Sequence, residues 1–350
     1  MKIIFLAVII TLPCFGGTSQ WYKGNTHAHT TLCGHADSPP SVVAQWYHDH
    51  GYNFAILSEH NKFIDPKTVK LKGDIREDFL LLPGEEVTGR KTVHSTAMNV
   101  NRLVPWHFDH EHRSKIIQKH VDETIKAGGA TILNHPNFGW AVQAKDMLPV
   151  KNLYLFELYN GHPSVRNFGD PKHPSTEELW DDLLTQGMTI YGVGSDDAHH
   201  FAEWKPGKSN PGRGWVMVRA KELTSDAITE AMTRGDFYSS SGVMLKKVVR
   251  GPKSIEIEVD EAATDKELAS PILMGRKVRE GKPGYLVEFI GPKGKVIDTS
   301  MEPKASCPVN NLAYLRCKVT RRIKQKNGDL IEHYAWAQPV FTDDRIKDSE

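Results

Sequence analysis

The sequence predicts an α/β fold, with a parallel sheet, closed or doubly wound, followed by a small antiparallel β-domain. Three observations predict it. From Trp21 to about Gly242 short apolar runs alternate with amphipathic helical patterns. Several of those runs end in histidine or acid. After Gly242 β-like runs separated by Gly/Pro turns take over. Repeated strand–helix units imply a parallel sheet, and a strand-only texture implies a sandwich.

The chain opens with Lys2, then the apolar run Ile3 to Leu12, and carries no further charge until Lys23. With Pro13 and the small residues Gly16, Gly17 and Ser19, this reads as a signal peptide over residues 1–19; a buried first strand is the alternative. The run falls short of the about 20 apolar residues of a membrane span. A secreted or periplasmic protein with no stable span after signal removal is expected. Pro13 stands where a lipid-anchored protein needs a small residue before Cys14.

The strand-like runs that follow are FAILSEH, FLLLPGEE, TVHSTAMNV, ATILNHP, LYLFELYN and MTIYGVGSDD. Helical patterns lie at Pro40 to His50, Ser114 to Ala127 and Ser175 to Gln186. The last begins with a capping box, Ser175 to Glu178, turns Leu179, Trp180, Leu183 and Leu184 to one face, and meets Gly187 as a stop. Residues 20–242 are therefore expected as one unit. Residues 243–350 are expected as a β-rich unit, built from SIEIEVD, GYLVEFIGP, YLRCKVTRR and HYAWAQPVF without a long helix.

Composition narrows the function. In 350 residues, 44 Lys+Arg face 43 Asp+Glu, a net charge of +1. That balance offers no footprint for a phosphate backbone, so no nucleic acid is expected as partner, and no polybasic membrane anchor. The chain holds 17 His and 4 Cys, so a bound metal would be held mostly by imidazole and carboxylate. Cys307 and Cys317, ten residues apart, either pair in an oxidising compartment or stay as thiols.

The ionisable residues fall in a pattern. His27 and His29 open the mature chain, and in an extended segment residues i and i+2 face the same way. His35 follows in CGHAD, Glu59-His60 closes FAILSEH, Glu85-Glu86 follows LLLPG, and His94 lies in TVHSTAMNV. His135 follows ATIL, and Asp197 and His199 follow TIYGVGS. One such histidine alone reads as a surface or structural residue. Recurrence at successive strand ends is the way an α/β barrel gathers an active site, and a shared cation would offset the cost of burying these charges together.

HAHTTLCGHA, LSEH, PGEE, the His94 strand, NHP and SDDAH, in that order, resemble the motifs of the PHP (polymerase and histidinol phosphatase) family of metal-dependent hydrolases, over about Tyr22 to Gly242. The resemblance implies a distorted (β/α)7 TIM-like barrel with a trinuclear site for divalent cations: Zn, Mn or Fe. It places His27, His29, Glu86 and Asp197 on a first metal. Glu86 would bridge to a second, completed by His94 and His135, with His35, His60 and His199 on a third. Glu86 is preferred to Glu85 by the family's Gly-x-Glu pattern and Asp197 to Asp196 by Asp-x-His; Glu85 and Asp196 stay as alternative ligands. Family members often carry Asp where Glu59 stands here. YNGHPSVRNFGD, PGRGWVMVRA, GDFYSSSGV and the terminal AWAQPVF are similar to the carbamate-hydrolase (CehA/McbA-type) branch.

The resemblance implies a secreted hydrolase that cleaves a phosphoester of a small-molecule substrate with a metal-bound hydroxide near Glu86 and Asp197. A carbamate or carboxylic ester at the same site is the alternative, and a non-catalytic metal- or carbohydrate-binding module a third. His200, beside His199, reads as a general acid or as a surface residue. Arg213 reads as an anion clamp or as a solvated turn residue. Asn160 and His162 would lie at the mouth. Glu157 has no assignable face. Cys33 reads as a metal-side thiol or a small buried residue. His48 and His50 cannot share a helix face. His107, His110 and His112 form a polar loop or line the rim.

Overall fold

The computed structural model describes residues 18–342 except 74 and 206. The apolar run of the expected export signal, Ile3 to Leu12, lies outside the described residues. The strands are β1 Gln20–Asn25, β2 Phe54–Ala55, β3 Leu80–Leu81, β4 Gly84–Thr88, β5 His94–Met98, β6 Ala130–Leu133, β7 Leu155–Asn160, β8 Tyr191–Ser195, β9 Trp215–Ala220 and β10 Phe237–Ser240. They continue as β11 Leu245–Arg250, β12 Ser254–Val259, β13 Arg276–Val278, β14 Gly284–Gly291, β15 Lys295–Ser300, β16 Lys304–Pro308, β17 Tyr314–Lys324 and β18 Leu330–Phe341. The α-helices are α1 Pro40–Asp49, α2 Arg113–Lys126, α3 Ala144–Met147, α4 Thr176–Thr185, α5 Ser225–Thr233 and α6 Glu261–Leu268. No described helix is long and apolar enough to cross a membrane.

The expected (β/α)7 barrel does not form. The largest sheet runs β15-β14-β17-β18-β10-β9-β1-β2-β3, with β13 beside β18; β4 to β8 make a second sheet, and β11-β12-β16 a third. Among the described strands, the parallel pairs are β1–β2, β2–β3, β6–β7 and β7–β8. The pairs β1–β9, β9–β10, β4–β5 and β5–β6 are antiparallel. The reason is connection length. Between β4 and β5 lies only the Gly89-to-Val93 link, whereas a parallel crossover needs about a dozen residues. Isolated bridges, His60 to Glu86 and Ala28 to Ala198, join the β4–β8 sheet to the segments that follow β1 and β2. The result is a mixed, strand-rich α/β arrangement without a closed barrel.

The sheet also runs through the boundary expected at 242/243. β18 pairs with β10, Tyr238 opposite Ala337 and Ser240 opposite Ala335, and brings β17, β14 and β15 into the same sheet. The C-terminal strands pair antiparallel, and β11-β12-β16 packs across β14 and β17 through Ile255, Ile257, Val287, Phe289 and Val319. One layer of that packing is the large sheet itself. It also contains α6, capped by Asp260 through the Ala263 N–H at 2.9 Å.

Local signals hold where they are local. Ser175 caps α4 and Glu178 returns to the Ser175 N–H, the reciprocal capping box. Trp180 is fully buried and its indole N–H donates to the Ile190 carbonyl at 3.0 Å. Burying that face against β7 and β8 is worth roughly 1.5–3 kcal/mol for each large apolar side chain.

Candidate metal centre

His27 and His29 follow β1 on a segment held straight from both sides. The Ser58 N–H donates to the Ala28 carbonyl at 2.8 Å, and the His29 N–H to the Ala198 carbonyl at 2.8 Å. With Ala28 fixed, both imidazoles project to one side, their Nε2 atoms 3.1 Å apart. β4 supplies Glu86. The alternation of a strand sends its neighbour the other way: Glu85 Oε1 accepts the Val104 N–H at 2.5 Å, away from the histidines. The pair after β8 divides likewise. Asp196 accepts the Gly212, Arg213 and Gly214 N–H groups at 2.9, 2.7 and 2.9 Å and the Tyr47 hydroxyl at 3.0 Å. It anchors that turn, and Asp197, in the left-handed region at φ 50°, faces the cluster.

The donor atoms surround common points. His27 Nε2 and His29 Nε2 each lie 3.4 Å from Asp197 Oδ1, and His27 Nε2 lies 3.4 Å from Glu86 Oε1. The same Glu86 oxygen is 3.4 Å from His94 Nδ1 and 3.3 Å from His135 Nε2. Its other oxygen meets His60 Nδ1. Most of these separations exceed the 2.7–3.2 Å of good N–H···O bonds, yet they match the edge of about 3.3 Å of a tetrahedron with 2.0–2.1 Å metal–ligand bonds. His94 Nδ1 and His29 Nδ1 are buried without a hydrogen-bond partner. On the outer side the rings of His29 and His199 stack at 4.1 Å, and His35 lies 4.7 Å from His199 and 5.1 Å from His60. Groups such as His27, His29 and Asp197, or His29, His60 and His199, place one ligand atom each within 4.8 Å of the others. These residues fit a cation: the set is buried, rich in imidazole and carboxylate, and leaves ligand atoms unpaired.

The electrostatics point the same way. Burial pushes the carboxyls of Glu86 and Asp197 up, but the imidazoles around them, His94 and His27 for one, His27 and His199 for the other, hold both well below the usual carboxylate range. Burial pushes His27 down; the opposing acids Asp197, Glu157 and Glu86 outweigh it and raise the group well above the usual imidazole value. His29 is driven well down by burial and by His199, and burial pushes His199 down to about 4. Carboxylates held ionised are what a divalent cation requires, while the imidazoles divide: against burial, Glu86 raises His60 and His135 as the acids raise His27, and burial lowers His29 and His199.

Glu157, whose face the sequence left open, points into this cluster. Its Oε1 accepts from Ser195 Oγ at 2.5 Å and meets His27 Nδ1 at 2.8 Å; its Oε2 accepts the His135 N–H at 2.7 Å and Asn160 Nδ2 at 2.8 Å. It fixes the orientation of two histidines at once. Asn160 also donates to Asp197 Oδ2 at 3.2 Å, so it braces the cluster from below. Asn134 donates to Glu86 Oε1 at 3.0 Å. Asp37 ties together the two loops that carry the outer histidines: its N–H donates to the His199 carbonyl at 3.0 Å and its carboxylate accepts the Phe201 N–H at 2.8 Å. Sequence reasoning missed Asn134 and Asp37. Each sits beside a motif histidine, but only the fold brings its partner near.

Above the cluster opens a cleft of about 230 Å³ lined by His35, His60, Glu86, His94, His135, Phe138, His162, Asp197, His199, His200 and Ser209. His162 and His200 are thus at the mouth. Arg213 is not among the lining residues: it is buried, with Nη2 donating to Asn210 Oδ1 at 3.0 Å and Nη1 to the Gly161 carbonyl at 3.4 Å. The guanidinium expected as a clamp or a solvated turn residue is instead a brace between two loops. His107, His110 and His112 are exposed and lie outside the cleft. His50 stacks on Trp46 at 3.8 Å while His48 faces Asp78 at 3.3 Å. Cys307 and Cys317 are buried free thiols in the β-core.

No protein-family model and no curated protein matches this chain.

Proposed function

We propose that the chain is a PHP-like, metal-dependent hydrolase that cleaves a phosphoester, holding up to three divalent cations of zinc, manganese or iron. The observation that carries this reading is Glu86 Oε1, set 3.3–3.4 Å from three imidazole nitrogens on three different segments. Divalent cations at such a site supply an activated water and polarise the scissile group.

The chain's own residues do the rest. Glu86 is the shared carboxylate, His94 and His135 complete one side of it, and His27, His29 and Asp197 the other. Glu157 keeps His27 and His135 in register. At the mouth, His162 Nδ1 accepts the Ser164 N–H at 3.1 Å, so in the neutral ring the proton sits on Nε2. That proton can be donated to a leaving oxygen. In His200 the arrangement is reversed. Lys208 Nζ can only donate and lies 3.4 Å from Nε2, which leaves the ring proton on Nδ1 facing Ser209 Oγ at 3.2 Å. His162 is therefore the better proton donor of the two.

A second reading, a carboxylic or carbamate ester, is favoured by one feature. The cleft lining holds Phe138 and no lysine or arginine side chain, which suits an ester less charged than a phosphomonoester. The test is Glu86→Gln with elemental analysis and a panel of chromogenic phosphate mono- and diesters and carboxylic esters. Metal content and hydrolysis are expected to fall together, activity by at least about 100-fold. Undiminished hydrolysis after complete chelation of the natural protein would end the proposal.

A further inference from the structure

We propose that Cys33 is a ligand of the outer metal position, making that position a mixed sulfur–nitrogen site that selects a thiophilic cation. This rests on the metal-dependent reading above.

Cys33 ends a short 3-10 turn, Thr31–Cys33, which Thr30 caps through the Leu32 N–H and which Gly34 closes at φ 84°. The turn sets Cys33 and His35 against His199, and one ligand atom of each lies within 4.8 Å of the others. On its inner side the same thiol groups with His29 and Glu59 within the same limit. Glu59 is fully buried. Its Oε1 accepts the Thr30 N–H at 2.5 Å, while its Oε2 has no hydrogen-bond partner. His29 Nδ1, also fully buried, has none either. An unpaired buried carboxylate oxygen beside a thiol and an imidazole is costly unless a cation or a proton enters, and the thiol and imidazole beside Glu59 are donors a cation can use. The chain itself ties the loop down: the Thr31 N–H donates to the Ser38 carbonyl at 2.9 Å and the Asp37 N–H to the His199 carbonyl at 3.0 Å.

The chemistry is a ligand exchange without oxidation. The Cys33 S–H proton leaves to solvent, a sulfur–metal bond forms, and one coordinated water departs. Thiolate beside imidazole favours Zn(II), Co(II) or Fe(II) over Mn(II) and Mg(II). Cys307 and Cys317, packed among Val287, Phe289 and Val319, have no such surroundings.

The test is stepwise cobalt(II) loading of the demetallated full chain, followed by absorption spectroscopy, in natural protein and in Cys33→Ser. The expected result is a near-ultraviolet thiolate-to-cobalt charge-transfer band in the natural protein, lost in Cys33→Ser, while the visible d–d bands of the remaining sites persist. Visible bands without the charge-transfer band in natural protein overturn the Cys33 assignment and leave the metal-dependent reading intact. No cobalt uptake overturns both. A measurement free of any variant runs alongside it: alkylation of Cys33 by iodoacetamide, followed by peptide mass spectrometry, slows by at least about tenfold when zinc is added, because the coordinated thiolate is withdrawn as nucleophile. An unchanged rate in zinc-loaded protein refutes the ligation.

Discussion

Two clusters of buried charge in this molecule are built on opposite principles. Under α4, Arg316 donates through Nε to Asp181 Oδ1 at 2.7 Å and through Nη2 to Oδ2 at 2.6 Å, the bidentate fork. Tyr314 adds its hydroxyl to Asp181 at 3.1 Å, and Lys318 closes on Glu177 at 2.6 Å. Two acids meet two bases at hydrogen-bonding distance. Around Glu86, Asp197 and the histidines hold several of their facing atoms 3.3–3.4 Å apart and leave His94 Nδ1 and His29 Nδ1 without partners. The first cluster pairs its charges directly and leaves only Arg316 Nη1 without a hydrogen bond, 3.6 Å from Glu177. The second sets imidazole and carboxylate atoms at spacings from which they could hold a metal ion.

That contrast is open to attack at its strong end first. Asp181→Ala strands a buried guanidinium and is expected to lower the unfolding free energy by about 3–5 kcal/mol, read from urea melts, while metal content per folded chain stays that of the natural protein. Comparable metal loss in this variant would mean that the two clusters are not independent. The middle effect belongs to the cation. Zinc at a hundred times its Kd is expected to add about 2.7 kcal/mol to the demetallated protein, seen as a rise in Tm. Asp181→Ala should show a similar gain and Glu86→Gln little of it. A Tm that ignores zinc would place the Glu86 cluster with the self-sufficient kind.

The sequence carried much of the second cluster and little of the frame around it. His27 and His29 were readable because two residues apart in an extended segment means one face, whatever the fold. Parity also separates Glu85 from Glu86, but it could not say which of them faced inward; only the family-like Gly-x-Glu pattern did. Parity fails at Glu157, because β7 is buried on both faces and carries a register shift between Glu157 and Tyr159. The sheet order was beyond local reading. β18 joins β10 from nearly a hundred residues away, and nothing in either strand names its partner. The barrel expectation took strand–helix alternation as continuous, while the short link from β4 to β5 had already broken it. Arg316 and Asp181 drew no notice because each sits in an ordinary element, β17 or α4, and their meeting is a property of packing alone.

Glu85 shows a third way to bury a carboxylate, with a proton in place of an arginine or a cation. It is fully buried, Oε1 accepts the Val104 N–H, Oε2 has no partner, and burial pushes the carboxyl up to about 7 from 4.5. A folded-state value above the unfolded one means that the folded chain holds the proton between about pH 4.5 and 7 while the unfolded chain has released it. Stability from this group is therefore complete below pH 4.5 and is lost as pH rises to 7. Glu85→Gln keeps the acceptor for Val104 and removes the titration. Measured on demetallated protein, where the titrations of the Glu86 cluster cancel between the two chains, the variant's stability relative to the natural protein should climb by about 3 kcal/mol from pH 4.5 to 8 and then level off. A difference that stays flat across that range would show that Glu85 is ionised in the fold, and that an unrecognised positive partner makes it a case of the first kind.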